Sequence, residues 1–192
     1  MARLCEGLQL SWGERKDTHE MASLYQEVLG KTLSSEQVRL LVTPPSSGLS
    51  RIVRHRGQIV GHHLMLPLMS GGGPQSPRLM GIASLLVHPD WRSLGIGGLL
   101  VEDGIRACSA RGYNALFTAT LPDYFLRFGF APYYGAAYGK PPIAWVRPLS
   151  SMGLLGWEGH VIFHPLSPFP QLMEPKPLQT ADGHPRRLAR QS

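Results

Sequence analysis

The sequence predicts a mixed α/β sheet flanked by helices, and three observations carry that expectation. Leu79 to Val87 is a nearly continuous apolar run, the pattern of a strand covered on both faces. A glycine-rich turn follows it and leads into a helical-period segment from Ile96 to Arg111. Upstream, Ile52 to His55 and Ile59 to Leu66 flank a turn at Arg56-Gly57-Gln58 and read as a hairpin.

The remaining elements follow in chain order. Leu8 to Trp12 alternates apolar and polar residues and predicts a short strand. Asp17-x-x-Glu20 has the spacing of a capping box, and Met21, Leu24, Tyr25 and Val28 repeat at helical intervals until Gly30. Ser34-x-x-Gln37 opens a second helix carrying Val38, Leu40 and Leu41, which the prolines at 44 and 45 end. Residues 70–77 (SGGGPQSP) form a loop by composition. In the helix after the glycines, Leu100, Val101, Ile105 and Cys108 share an apolar face. Glu102 and Arg106 have i,i+4 spacing on the other side, and Gly112 is a natural stop. Ala115 to Ala119 is a strand candidate, and Pro122 to Phe128 a short helix with proline in its first turn. Ala144 to Arg147 and His160 to Phe163 are late strands, and Met65 and Met69 read as strand packing.

Composition narrows the function classes. The 192 residues suit a single domain, here residues 1–165, followed by a proline-rich basic tail over 166–192 that is expected to be extended or disordered. No apolar run approaches the ~18 residues of a membrane span, and no secretion signal is visible, so a soluble cytoplasmic protein without a membrane partner is expected. Two cysteines, Cys5 and Cys108, exclude a disulfide scaffold and a four-cysteine zinc site, and no histidine–carboxylate cluster has metal spacing. The formal charge of +6 favours polyanionic partners. Residues 171–192 carry +2 of it, and without finger spacing or aromatic-interleaved basic runs no dedicated nucleic-acid site is expected.

The informative stretch is Leu85-Leu86-Val87-His88-Pro89-Asp90-Trp91-Arg92-Ser93-Leu94-Gly95-Ile96-Gly97-Gly98. A buried strand, a turn and a glycine-rich helix start leave backbone N–H groups and the positive dipole end free for an anion such as phosphate. A Walker A loop is excluded because no Lys-Ser/Thr follows the glycines. A dinucleotide fingerprint is disfavoured because Leu100 stands where its third glycine belongs.

Arg92-x-x-Gly95-x-Gly97 resembles the R/Q-x-x-G-x-G/A signature of the GNAT superfamily of acyl-CoA-dependent N-acetyltransferases. The preceding Leu85-x-Val87-x-Pro89 and the downstream Tyr124-Phe125-Leu126-Arg127-Phe128-Gly129-Phe130 extend the likeness, which looks most like the YhbS-like bacterial branch. The resemblance implies a single-domain, GNAT-type, mostly antiparallel central sheet flanked by helices. It also implies acetyl-CoA as co-substrate and transfer of the acetyl group to a primary amine, small-molecule or peptide, by direct attack on the thioester. Backbone groups of Leu85, Leu86 and Val87 would pair with the pantetheine arm. The N–H groups of Ser93, Leu94, Gly95, Ile96, Gly97 and Gly98, with Arg92, would hold the pyrophosphate. Oligomeric state, a homodimer included, is left open.

The family's usual acid, a tyrosine four residues before the glycine of Gly-Phe, is replaced here by Phe125, which makes the adjacent Tyr124 the catalytic candidate. A packed aromatic at a helix start is the alternative role for it. A carboxylate found early in the signature strand of some relatives would fall near Gly81, which cannot act as a base. A lysine-like amine costs about 4.6 kcal/mol to deprotonate at pH 7, and an α-amine about 1 kcal/mol, so the lack of a base matters more for the former. His62 and His63 alternate faces on one strand and read as satisfied structural histidines, while His88 is placed in the turn. Cys108 reads as a buried thiol, and Trp145 and Trp157 as packing. A non-catalytic acyl-CoA-binding regulator remains the rival reading.

Overall fold

The computed structural model describes residues 7–45, 47–70, 76–134, 144–155, 157 and 161–162. Its strands are β1 (Leu8–Trp12), β2 (Leu49–His55), β3 (Gln58–Ser70), β4 (Leu79–Val87), β5 (Ala115–Thr118), β6 (Ala131–Tyr133), β7 (Ala144–Pro148) and β8 (Val161–Ile162). The helices are α1 (Thr18–Leu29), α2 (Ser35–Val42), α3 (Ile96–Ala110) and α4 (Pro122–Leu126). Seven strands lie in the order β1-β2-β3-β4-β5-β7-β6, and β8 pairs with the end of β3. Only β4 and β5 run parallel; every other pair is antiparallel. The tail after residue 165 and Cys5 lie outside the described residues.

Local chemistry explains most elements. At the β2–β3 turn Arg56 and Gly57 both adopt positive φ (48° and 90°), the geometry whose twist matches a two-residue hairpin. Ser34 caps α2 by accepting from the Gln37 N–H at 3.2 Å, and the Gln37 side chain accepts from the Ser34 N–H at 2.8 Å, so this capping box is real. The Asp17-x-x-Glu20 box is not formed. Asp17 instead accepts from the Glu14 N–H at 2.7 Å and from Arg54 at 2.6 Å, and Glu20 takes Arg54 at 2.7 Å. The half-buried guanidinium of Arg54 takes both carboxylates in place of the helix N–H groups. Similarly, Arg106 lies 3.8 Å from Asp103 rather than pairing with Glu102, because Asp103 faces the charged cluster beneath α3. The sequence gives no sign of β6, a three-residue strand containing a proline at the sheet edge. Met69 is exposed rather than packed.

The sheet is covered on both faces. Met21, Leu24 and Tyr25 of α1 and Val38 and Leu41 of α2 pack on one face with Ile52, Leu64 and Leu86. Val101 and Cys108 of α3 and Phe125 of α4 pack on the other with Met65, Met80 and Ile82. Register along β3–β4 slips between Leu64 and Met65: Leu64 pairs with Ser84 and Met65 with Ile82, so Ala83 is a bulge residue. The extra residue inverts the alternation, leaving Ile82 under α3 and sending Ser84 and Leu86 to the α1 side. Between sheet and α3, Arg51 holds Asp103 through two bonds of 2.5 and 3.2 Å, while its guanidinium carbon sits 4.0 Å over the Trp12 ring. Removing one member of such a pair strands the other charge in a nearly dry site. Asp103→Ala is therefore expected to lose about 3 kcal/mol of stability, read from urea unfolding; a change under about 0.5 kcal/mol would make the pair equivalent to a surface contact.

Candidate functional site

β4 and β5 stay together for only three residue pairs, from Leu79–Ala115 to Gly81–Phe117, and then part. Beyond Gly81 the β5-side edge of β4 has no strand partner among the described residues. A cleft of about 680 Å³ occupies the gap, within the size range of small-molecule sites. β4 supplies Leu85, Leu86 and Val87 to its wall, the following turn supplies Trp91, Arg92 and Ser93, and the start of α3 supplies Gly95, Ile96, Gly97 and Gly98. The far wall comes from Leu121, Tyr124 and Arg127, and Val28 of α1 closes one side.

The start of α3 is built to leave its amides open. Gly95 caps the helix at φ 86°, a left-handed geometry that costs an L-residue about 1–2 kcal/mol, and no side chain caps the first turn. The first turn contains no acidic residue, so its N–H groups and dipole face the cleft uncompensated. At Gly97 a Cβ would lie within contact of the Tyr124 hydroxyl, so that hydroxyl rests directly against the helix start. Arg127 lies over the Tyr124 ring, its guanidinium carbon 4.1 Å from the centroid. Arg92 donates through Nε to the Val87 carbonyl at 3.3 Å. The cleft therefore holds two cationic side chains and no carboxylate among its described lining.

Of the residues expected from sequence to bind the cofactor, Leu85, Leu86, Val87, Arg92, Ser93, Gly95, Ile96, Gly97 and Gly98 line the cleft. Leu94 does not; its side chain is exposed in the turn. Tyr124 lines the cleft at the α3 end, whereas Phe125 is fully buried and faces a second chamber further along β4. Val28, Trp91, Leu121 and Arg127 were not expected. Arg127 stood inside the quoted aromatic–glycine run and carried a charge signal; Val28 and Leu121 are ordinary apolar residues brought in only by the fold.

The histidines of β3 are core groups. His62 is fully buried, with Nδ1 2.8 Å from the Tyr25 hydroxyl and Nε2 3.1 Å from Ser50 Oγ, and Tyr25 donates to Ser84 Oγ at 2.8 Å. Burial, reinforced by neighbouring His63, lowers the His62 pKa to about 3. His63, also fully buried, lies 3.0 Å through Nδ1 from the Leu100 carbonyl, and burial lowers its pKa to about 4. His88 sits in the turn and binds Glu27 of α1 at 2.7 Å. Burial raises the Cys108 thiol to about 12, which makes it inert as a nucleophile. Trp157 stacks on Tyr133 and serves packing, and Trp145 packs against the α3-side core. No cluster of metal-ligating side chains occurs among the described residues, nor any helix long and apolar enough to cross a membrane.

The parallel pair thus opens into a cleft beside an uncapped glycine helix start, and sequence comparison places the chain in a family of acetyltransferases. The acetyltransferase (GNAT) family model matches residues 2–130, and the chain belongs to that family. It is similar to the uncharacterized N-acetyltransferase YjhQ of Escherichia coli K12, at 27% identity over 124 residues, 64% of this chain and 68% of that protein. Its fold matches YhbS, a GNAT family N-acetyltransferase from Escherichia coli solved in complex with CoA, with a TM-score of 0.70 and 23% identity over 83% of this chain and 91% of that one. A GNAT family acetyltransferase from Brucella melitensis, solved with acetyl-CoA, matches with a TM-score of 0.64 and 20% identity over 83% and 97%.

The depressed histidines make a signed prediction. Both are held neutral in the fold but titrate near 6.5 when unfolded, so the unfolded chain binds more protons below that pH. Their stabilising contribution is present above about pH 6.5 and is lost as pH falls toward 4. Unfolding free energies from urea titrations at pH 6.5 and 4.5 are expected to differ by about 2 kcal/mol per histidine, with His62→Gln reducing the difference; equal free energies would contradict it.

Proposed function

We propose that the protein is an acetyl-CoA-dependent N-acetyltransferase whose acceptor is a primary amine that is largely neutral near pH 7. The observation that carries this reading is the cleft itself: a strand edge leading to an uncapped helix start, with two arginines and, among the described residues, no acid on its wall and no strand against that edge. This lining suits a long ligand that is amide-bearing at one end and polyanionic at the other. A Cβ at Gly95 would meet nothing within 4 Å and one at Gly98 only ordinary contacts, so the helix start has open space beside its backbone that supports close approach of a diphosphate. The CoA and acetyl-CoA complexes of the structural neighbours support the same ligand.

In this reading acetyl-CoA supplies the thioester carbonyl that the amine attacks and the thiolate that finally takes up the proton the amine gives up. The chain's own groups bind and orient. Edge N–H and C=O groups of Leu85 and Val87, the residues of β4 whose backbone faces away from β3, pair with the pantetheine amides as an added strand would. The amides of Gly97 and Gly98, with Arg92 and Arg127, hold the diphosphate. Tyr124 rests against Gly97 at that same end, and so serves as a hydroxyl donor to the bound cofactor rather than as the proton source for sulfur. Phe125 occupies the position where a family tyrosine would act.

Neither cleft nor chamber has a carboxylate or an accessible imidazole among its described lining, and His62 is sealed behind Tyr25. A lysine-like acceptor would have to shed its proton unaided, at about 4.6 kcal/mol, which favours α-amine-type acceptors. The same lack of acid and base favours the second reading, a regulator that binds acyl-CoA without turnover. Amine-dependent release of free thiol from acetyl-CoA, measured over amines spanning pKa 7 to 10, separates the two; binding without release at any amine favours the regulator.

Two substitutions test the pose. Gly97→Asp places a carboxylate at the diphosphate turn and is expected to abolish CoA binding by calorimetry while leaving the melting temperature within a few degrees; unchanged affinity would remove the assigned site. Tyr124→Phe is expected to weaken CoA binding roughly three- to tenfold with little change in kcat. A drop of about 100-fold in kcat at constant affinity would instead make Tyr124 the acid.

A further inference from the structure

The second chamber, of about 210 Å³, opens from the cleft where β4 has lost β5. Leu85, Leu86 and Leu121 belong to the walls of both spaces. Gly95, Gly97 and Gly98 line the cleft but not the chamber, so the chamber lies at the end opposite the anion-binding turn. Its own walls are Leu29 of α1, Ile82 and the bulge residue Ala83 of β4, and Phe125 of α4.

The chamber's chemistry is one-sided. Among the described residues, Ser84 and Thr120 are its only polar lining side chains, and none that lines it is charged. The Ser84 hydroxyl is engaged by Tyr25, which His62 holds from behind. The Thr118 hydroxyl and the Thr120 backbone satisfy one another nearby. An ammonium or carboxylate placed here would give up its hydration and find no opposite charge among the described lining, only two hydroxyls and backbone. A hydrocarbon chain has no hydration of that kind to give up.

We infer that this chamber is an acyl-chain pocket, which takes the aliphatic tail of a CoA thioester longer than acetyl, about four carbons in length. The inference rests on the reading of the cleft as a CoA site. A ligand running from the α3 amides along the β4 edge reaches the chamber with its acyl end. At about 30 Å³ for a group the size of a water or methylene, the chamber has room for two further carbons with space to spare. An acceptor amine suits it less, because among the described lining its N–H groups would find two hydroxyls, one already bonded to Tyr25, in an otherwise apolar wall.

Calorimetric titration of the whole protein with CoA, acetyl-CoA and butyryl-CoA decides the matter. Each fully buried methylene strengthens binding by on the order of fourfold, so butyryl-CoA is expected to bind roughly tenfold tighter than acetyl-CoA. Ala83→Leu and, independently, Thr120→Phe fill the chamber from opposite walls, and each is expected to erase that preference without changing the affinity for CoA. Butyryl-CoA binding no tighter than acetyl-CoA to the wild-type protein would overturn the inference, as would a preference that survives both substitutions. Failure of CoA itself to bind would overturn the reading of the cleft, and this inference with it, which is a distinct result from CoA binding without chain-length preference.

Discussion

The early parting of β4 and β5 is the constraint on which the rest of the structure depends. Two parallel strands that separate after three residue pairs leave backbone groups unmatched, a cost that a fold accepts only where something else takes them up. β5 is kept on its other side by β7, and β4 by β3 along its whole length, so neither strand is free to close the gap. Helices cover both faces of the sheet, and the wedge is therefore permanent. The bulge at Ala83 adds the second necessary adjustment. Without it Ser84 and Leu86 would point under α3, and the α1-side core would lose Leu86.

Charge is arranged to the same end. Several acidic residues are paired away from the cleft, Asp103 with Arg51, Asp17 and Glu20 with Arg54, and Glu27 with His88, while Glu102 lies just outside it beside Gly98 and Arg127. Arg92 and Arg127 remain on its wall, and the helix dipole adds to them. The positive field of the cleft thus arises from the two arginines and the open helix start. A buried polar chain beside the chamber, Ser50–His62–Tyr25–Ser84, is internally bonded and presents a hydroxyl to it without presenting a charge.

Much of this was readable in the sequence because it is local. Leu79–Val87 and Ile96–Ala110 follow from an unbroken apolar run and a 3.6-residue repeat, and Arg56-Gly57 from turn chemistry. The glycine-rich signature located the anion-facing helix start for the same reason. What escaped depends on contacts between distant segments. The Asp17-x-x-Glu20 spacing was correct for a cap, but Arg54 lies 37 residues from Asp17 in sequence and takes its carboxylate. The Ala83 bulge leaves no mark in a strand apolar on both faces, since alternation there is already erased. Tyr124 and Phe125 differ by one position, and only the geometry of α4 shows which faces the amides and which faces the chamber.

The unpaired edge of β4 has a consequence for the solution behaviour of the protein. Exposed strand edges commonly recruit neighbouring molecules and seed aggregates, and proteins blunt them with charge, proline or distortion. Here the edge carries Leu85 and Leu86, a sequence with no such gatekeeper, yet it lies recessed between Val28 on one side and Tyr124 and Arg127 on the other. The fold protects it by placement rather than by composition. Loss of α4 would therefore convert a binding groove into a sticky seam, and colloidal stability in this protein is tied to the same short helix that shapes its active cleft.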